Sequence, residues 1–326
     1  MAILVTGAAG FIGFHVARAL LEREEEVVGL DDLNDYYDVA LKERRRAILE
    51  QRPKFTFNKA DIADRQAIAA LFARHPAIDR IVHLAAQAGV RHSLIDPYSY
   101  VHSNLLGQVT MFEAARAAGS IGHFVYASSS SVYGDSTRLP FGLDDPADRP
   151  RSLYGATKRS GEMIARSYAA MFALPVTGLR FFTVYGPWGR PDMSAYIFTK
   201  DILAGRPITL FNQGEMKRDF TYIDDIVAGV LAALDRPPAA DESGAPHRLY
   251  NLGNHRSEPL RRFVQLIERA CGRKAEIRYA PMQPGDVAET YADIEASQRD
   301  LGFEPTTPID EGIPRFVKWF KEYHGV

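Results

Sequence analysis

Cysteine is nearly absent from this 326-residue chain: Cys271 stands alone. That excludes an intramolecular disulfide framework and suits a reducing compartment. Long apolar runs are missing too, and none approaches the ~18 residues that a membrane span requires. Met1–Thr6 has no basic residue, and its apolar run stops at Gly7, unlike an export signal. Charge of one sign is also lacking. The 39 basic and 41 acidic residues leave a net charge of −2 and no global field for nucleic acid. Nine histidines show no metal-ligand spacing such as H-E-x-x-H, and no Cys/His cluster exists, so no metal is expected. The expectation is a cytoplasmic protein with no membrane and no nucleic-acid partner.

What is present suffices for a folded enzyme. The chain is 46% hydrophobic and 25% charged, so a sizeable core can form, and its length allows two domains of about 150 residues each. Short β-branched runs begin at Ile3, Val27, Phe55, Ile81, Phe124 and Val176, with segments of 3.6-residue period between them, such as Phe11–Leu21 and Ala67–Ala73. This alternation predicts an α/β fold, a doubly wound parallel sheet (Rossmann) with a smaller mixed α/β substrate-binding domain. Residues 1–180 are expected to form the nucleotide-binding domain and 181–326 mainly the second. A later segment near 220–254, including Leu249–Leu252, returns to the first sheet. The basic run Lys42-Glu43-Arg44-Arg45-Arg46 reads as a solvated helix face.

Gly7-Ala8-Ala9-Gly10-Phe11-Ile12-Gly13 follows the first strand and opens the first helix. Small residues there let the backbone approach a pyrophosphate, and the helix N-terminus supplies free N–H groups and partial positive charge. Asp31 ends the second strand, where a carboxylate accepts from both ribose hydroxyls. With Asp32 it repels a 2′-phosphate, so NAD is favoured over NADP. Asp61 and Ile62 are placed at the adenine, Ala85 and Ala86 at the pyrophosphate, and Asn34 completes the set.

Tyr154 and Lys158 stand at i and i+4 on one helix face. A tyrosine with pKa near ~10 is a poor base at neutral pH; a neighbouring lysine cation favours its phenolate. Upstream, Ser128-Ser129-Ser130-Ser131-Val132-Tyr133-Gly134 follows the fifth strand, at the carboxyl end where ligands bind such sheets.

On the glycine motif, the serine run before Val132-Tyr133-Gly134, and the Tyr154/Lys158 pair, the chain resembles the extended short-chain dehydrogenase/reductases. More narrowly, it is similar to nucleotide-sugar 4-epimerases over nearly its whole length. The resemblance implies that Tyr154 is the base, that Lys158 binds the nicotinamide ribose, and that Ser129 shares the substrate hydroxyl. It also implies that Leu84, Ala85, Ala86, Gln87 and Asn104 line the NAD site. Related 4,6-dehydratases carry an Asp-Glu pair before Val-Tyr-Gly, and UDP-glucuronate decarboxylases a Glu; here Ser130 and Ser131 stand there.

Phe181–Met193, Gly89-Val90-Arg91 and Met282–Val287 resemble segments of UDP-glucuronate 4-epimerases. That implies a UDP-sugar substrate held by Arg91, Ser128, Ser129, Ser130, Thr183, Arg190, Phe211, Arg218, Gln283 and Asp286. Arg218 is expected at the diphosphate, and Ser128, Thr183 and Arg190 at the C6 carboxylate. The expected reaction inverts C4 of UDP-glucuronate to UDP-galacturonate through a 4-ketone. Alternatives are a UDP-glucose/galactose 4-epimerase, a decarboxylase, or a non-catalytic NAD-binding protein. A homodimer is expected through apolar faces of Tyr98–Ala118 and Tyr154–Phe172.

Overall fold

The computed structural model describes residues 1–283 and 285–326; Pro284, quoted in one of the motifs above, lies outside the described residues. Six strands alternate with helices through the first 181 residues: β1 (Ala2–Thr6), β2 (Val27–Asp31), β3 (Phe55–Lys59), β4 (Ile78–His83), β5 (His123–Ser129) and β6 (Val176–Phe181). β1, β2 and β6 are buried along their whole length. That is why they show no apolar–polar alternation, and why their polar members, such as Asp31 and Arg180, are buried with the rest. A strand at His247–Leu252 pairs in parallel with β6, from His247 opposite Val176 to Leu252 opposite Phe181. The sheet order is therefore 247–252, β6, β5, β4, β1, β2, β3, parallel throughout.

Strand order reverses at β1, which has β2 on one side and β4 on the other. Chain leaving β1 and β4 turns to opposite faces there, and a crevice opens at the carboxyl ends. Helix α1 (Phe11–Glu22) starts at its floor. The helix Ile223–Leu234 packs on α1, so this late segment belongs with the sheet. Smaller pairings complete the other wall: Thr183–Tyr185 with Phe220–Tyr222, Ile208–Phe211 with Ile277–Ala280, and Lys217–Arg218 with Glu258–Pro259. Two apolar clusters fill the two faces of the sheet.

The basic run is only partly a solvated face: Arg44 is exposed and Glu43 and Arg46 are half-buried. Within the helix Val39–Glu50, Lys42 and Arg45 are buried. Arg45 donates to the Ala9 carbonyl at 2.9 Å, the Tyr37 hydroxyl at 2.8 Å and the Trp188 carbonyl at 2.6 Å. It ties the glycine turn to the loop at Trp188. The run's period hid this, because Lys42 and Arg45 are one helical turn apart and face inward together.

Candidate active site

The glycine turn shapes the floor of the cleft. Gly7 has φ +70°, and a Cβ on it would lie 2.9 Å from the Ala85 nitrogen; one on Gly13 would lie 2.0 Å from the Gly7 carbonyl oxygen. Neither position admits a side chain. Gly10 caps α1 with no side-chain hydrogen bond, so the first-turn N–H groups face the cleft uncapped, a natural seat for an anion. Asp31 is buried at the end of β2, accepting from the Ala9 N–H at 3.0 Å and the Leu33 N–H at 2.9 Å. Burial raises its pKa above the usual carboxylate value, while these bonds and Lys42 act against that. Lys42, missed as a solvated residue, lines the cleft and donates to Asn34.

The walls gather most of the expected cofactor set. Gly7, Gly10, Phe11, Ile12, Gly13, Asp31, Asn34, Asp61, Ile62, Leu84, Ala85, Ala86 and Gln87 all line one cleft. Asn104 does not. It lies one layer behind, in a π-helical turn (Val101–Gly107), accepting from the Gln87 N–H at 2.8 Å and donating to the Gln87 carbonyl and Thr157 hydroxyl. Its amide is spent on holding the wall and the Tyr154 helix, so it acts on the cleft through Gln87.

Ser152 caps the helix Leu153–Phe172, accepting from the Gly155 N–H at 3.0 Å. A Cβ on Gly155 would come within 2.4 Å of the Ser131 carbonyl oxygen. This close fit seats the helix on the serine loop and brings Tyr154, Lys158, Ser128, Ser129, Ser130 and Ser131 into the same cleft. Ser129 accepts from the Ser131 N–H at 3.2 Å, which leaves its own proton free for the phenolate or a ligand. Burial raises the Tyr154 phenol above its ordinary pKa, and the Ser129 hydroxyl and Arg190 guanidinium work the other way. Lys158 does not by itself bring the phenol down, as the spacing suggested. Its ammonium donates to the Ala127 carbonyl at 2.9 Å, and burial lowers its pKa to about 8 against the pull of Glu162.

Thr183, Arg190, Arg218 and Asp286 line the same cleft. Arg218 is hydrogen-bonded to the Lys217 and Ala288 carbonyls, and among the described residues no carboxylate lies at ion-pair distance from it. Burial lowers its pKa, with Asp286 opposing; a guanidinium so placed calls for an anion. Arg190 instead holds Asp192 with two hydrogen bonds, and Asp192 also accepts from the Tyr36 hydroxyl at 3.0 Å.

Three expected substrate contacts stand outside the cleft wall. Arg91 lies 4.5 Å over the Phe211 ring and pairs with Asp286 at 3.1 Å, so both side chains engage each other at the rim. The Gln283 carbonyl accepts from the Asp286 N–H at 3.2 Å. Ser128 keeps its place in the cleft, but its hydroxyl donates to Glu162 at 2.6 Å. That proton is therefore unavailable to a carboxylate, contrary to the role expected of it. Glu162 itself escaped the sequence reading, although it follows Lys158 at the same four-residue step as Lys158 follows Tyr154.

A nucleotide floor joined to a tyrosine–lysine–serine wall matches a known family model. Residues 3–253 match the NAD dependent epimerase/dehydratase family. The chain belongs to this family. Among its relatives, UDP-glucuronate 4-epimerase 4 of Arabidopsis thaliana is 48% identical over 332 residues, covering 99% of this chain and 76% of that one. A UDP-glucuronic acid 4-epimerase of Bacillus cereus, solved with UDP-glucuronic acid and NAD, superposes with a TM-score of 0.91 at 34% identity, covering 99% and 100% of the chains. A Thermotoga maritima UDP-glucose 4-epimerase solved with UDP-glucose follows at 0.87 and 29%, covering 99% and 100%. The family name spans epimerases and dehydratases; in this member the residues before Val132 are Ser130 and Ser131, with no carboxylate to drive elimination of water.

Proposed function

We propose that the chain is an NAD-dependent isomerase that inverts C4 of UDP-glucuronate, giving UDP-galacturonate through a transient 4-keto sugar without decarboxylation. One observation carries this reading. The cleft brings Ser129, Tyr154 and Lys158 together with Thr183 and Arg190, and has serines at 130 and 131. The full-length likeness to UDP-glucuronate 4-epimerases supports it.

The uncapped start of α1, the glycine turn and the small residues Ala85 and Ala86 fit a dinucleotide pyrophosphate, and Asp31 fits its adenosine ribose. Held there, NAD would supply a reversible hydride acceptor for C4 and a positive charge that favours a phenolate at Tyr154. Tyr154 takes the O4 proton as C4 becomes a carbonyl, and returns it when the opposite face is reduced. Ser129 donates to the oxygen that carries this charge. Lys158, protonated below about pH 8, supplies a fixed cation beneath the helix. Arg218 grips the diphosphate while the sugar turns over. The 4-ketone is β to the C6 carboxylate, and carbon dioxide leaves only when the C5–C6 bond stands perpendicular to the carbonyl plane. Thr183 and Arg190 hold that bond nearer the plane.

The second reading is the same chemistry on UDP-glucose/galactose. It is favoured by the Asp192 carboxylate, which occupies the Arg190 fork, and by the likeness to the Thermotoga enzyme. Proton NMR of UDP-glucuronate incubated with the purified protein and no added cofactor separates these readings. UDP-galacturonate is the expected product; UDP-xylose, a 4-keto-pentose or no conversion alongside UDP-galactose formation from UDP-glucose rejects the uronate reading.

The expected homodimer is supported by exposed apolar residues on the two helices concerned: Tyr98, Val101, Leu106, Met163, Met171 and Phe172. A stripe of this kind marks an association surface, and light scattering at twice 36.3 kDa is the expected mass result. A cytoplasmic location is supported by the unpaired, buried Cys271. Among the described residues no helix is long and apolar enough to cross a membrane.

A further inference from the structure

Glu162 lies beneath the serine loop with both oxygens fully used. Its Oε1 accepts from the Ser128 hydroxyl at 2.6 Å and from Arg180 Nε at 2.8 Å; its Oε2 accepts from an Arg180 terminal nitrogen at 2.8 Å and from Arg159 at 2.8 Å. Arg180 in turn lies 4.8 Å over the Tyr133 ring, whose hydroxyl donates to Asn251 at 2.7 Å. Glu162, Arg180 and Ser128 are all buried. A carboxylate receiving four donors, three of them from guanidiniums, is ionised and can only accept. Burial opposes that charge, yet the bonds from Arg180, Ser128 and Arg159 outweigh it and hold the pKa below the ordinary glutamate value.

A serine has one proton and two lone pairs. Ser128 spends its proton on Glu162, so toward the cleft it offers lone pairs only. A sugar carboxylate also offers lone pairs only, and two acceptors with no proton between them repel. A ring hydroxyl has the proton that Ser128 lacks. We propose that Glu162 is a positioning residue that fixes Ser128 as a hydrogen-bond acceptor, so that Ser128 receives a hydroxyl of the sugar ring and takes no part in holding the sugar carboxylate. Recognition of the carboxylate then falls to Thr183 and Arg190. The proposal rests on the uronate reading above and assigns a different task to one residue of that site.

The test measures affinity of the NAD-loaded protein for UDP-glucuronate and UDP-glucose by calorimetry, in wild type, Ser128→Ala, Thr183→Val and Glu162→Gln. Failure of the uronate reading shows separately, as absence of UDP-glucuronate turnover by wild type. Ser128→Ala loses one hydrogen bond that both sugars share, so both affinities fall by the same factor, about 2–10-fold. Thr183→Val weakens UDP-glucuronate alone. In Glu162→Gln the amide nitrogen turns to the Ser128 side, where it meets one guanidinium donor, Arg180 Nε, in place of the two that face the other oxygen. The amide then donates to Ser128 and frees its proton for the cleft, so the affinity ratio shifts toward UDP-glucuronate by about threefold or more.

A merely structural Glu162 lowers both affinities together and leaves the ratio fixed, which overturns the proposal. Should Glu162→Gln fail to fold, Ser128→Ala decides alone. A tenfold loss for UDP-glucuronate with UDP-glucose unchanged overturns it, as does loss of bound NAD with both sugar affinities intact.

Discussion

Replacing Lys158 with Met is expected to stabilise the cofactor-free protein while disabling it. The ammonium is buried, and its pKa falls from 10.5 to about 8 on folding. Each unit is worth 1.36 kcal/mol, so a charged Lys158 costs about 3 kcal/mol at pH 7. Met fills nearly the same volume without charge. It leaves the Ala127 carbonyl without its 2.9 Å partner, a loss of about 1–2 kcal/mol. The balance is a gain of about 1–2 kcal/mol. For 326 residues the unfolding entropy is about 0.7 kcal/mol per kelvin, so the melting temperature rises by about 1.5–3 °C.

The pH dependence fixes the cause. Between the folded pKa near 8 and the unfolded value near ~10.4, the unfolded chain binds more protons, so wild-type stability rises with pH. The cost of the buried charge is complete below pH 8 and gone above about 10.5. The variant's advantage is therefore greatest near pH 7 and vanishes by about pH 9.5. Differential scanning fluorimetry of NAD-stripped protein across pH 6.5–9.5 measures it, with turnover of UDP-glucuronate falling at least about 100-fold in the same variant. A variant that melts lower than wild type at pH 7, or by a difference that does not change with pH, refutes the reasoning.

Other expectations follow from single contacts. Tyr154→Phe removes the proton acceptor and lowers kcat by about 10²–10⁴-fold, with NAD content after denaturation unchanged. In Gly13→Ala the new methyl meets the Gly7 carbonyl oxygen at 2.0 Å; the turn opens, and bound NAD measured by chromatography falls below about a tenth of wild type. Arg218→Met removes charge-assisted hydrogen bonds to a diphosphate and weakens UDP binding by about 10–100-fold in calorimetry. Unchanged UDP affinity there places the diphosphate elsewhere.

Much of the fold was legible because parallel strands buried on both faces write themselves as short β-branched runs, and the helices between them keep a 3.6-residue period. The strand Leu249–Leu252 was readable for the same reason, although 65 residues lie between the end of β6 and the start of its partner strand at His247. The floor of the cleft was legible too, since Gly7 and Gly13 are dictated by atoms close in sequence. What escaped was set by side chains that meet only in three dimensions. The run around Arg45 has the charge of a surface, and only the folded chain reveals Ala9, Tyr37 and Trp188 converging on its guanidinium. Asn104, Arg91, Phe211 and Gln283 were placed on the cleft by resemblance, yet the wall stands between Asn104 and the cleft, and the rim pairing holds Arg91 against Phe211 and Asp286. The direction of the Ser128 proton depends on Glu162, 34 residues away.

The central claim is that hydrogen leaves C4 and returns to it within the protein, with Tyr154 handling only the hydroxyl proton. Epimerisation of UDP-glucuronate in deuterium oxide tests this most directly, with the product read by NMR and mass spectrometry. The account predicts UDP-galacturonate that carries no deuterium at C4. Deuterium at the inverted carbon, in step with product formed, contradicts it.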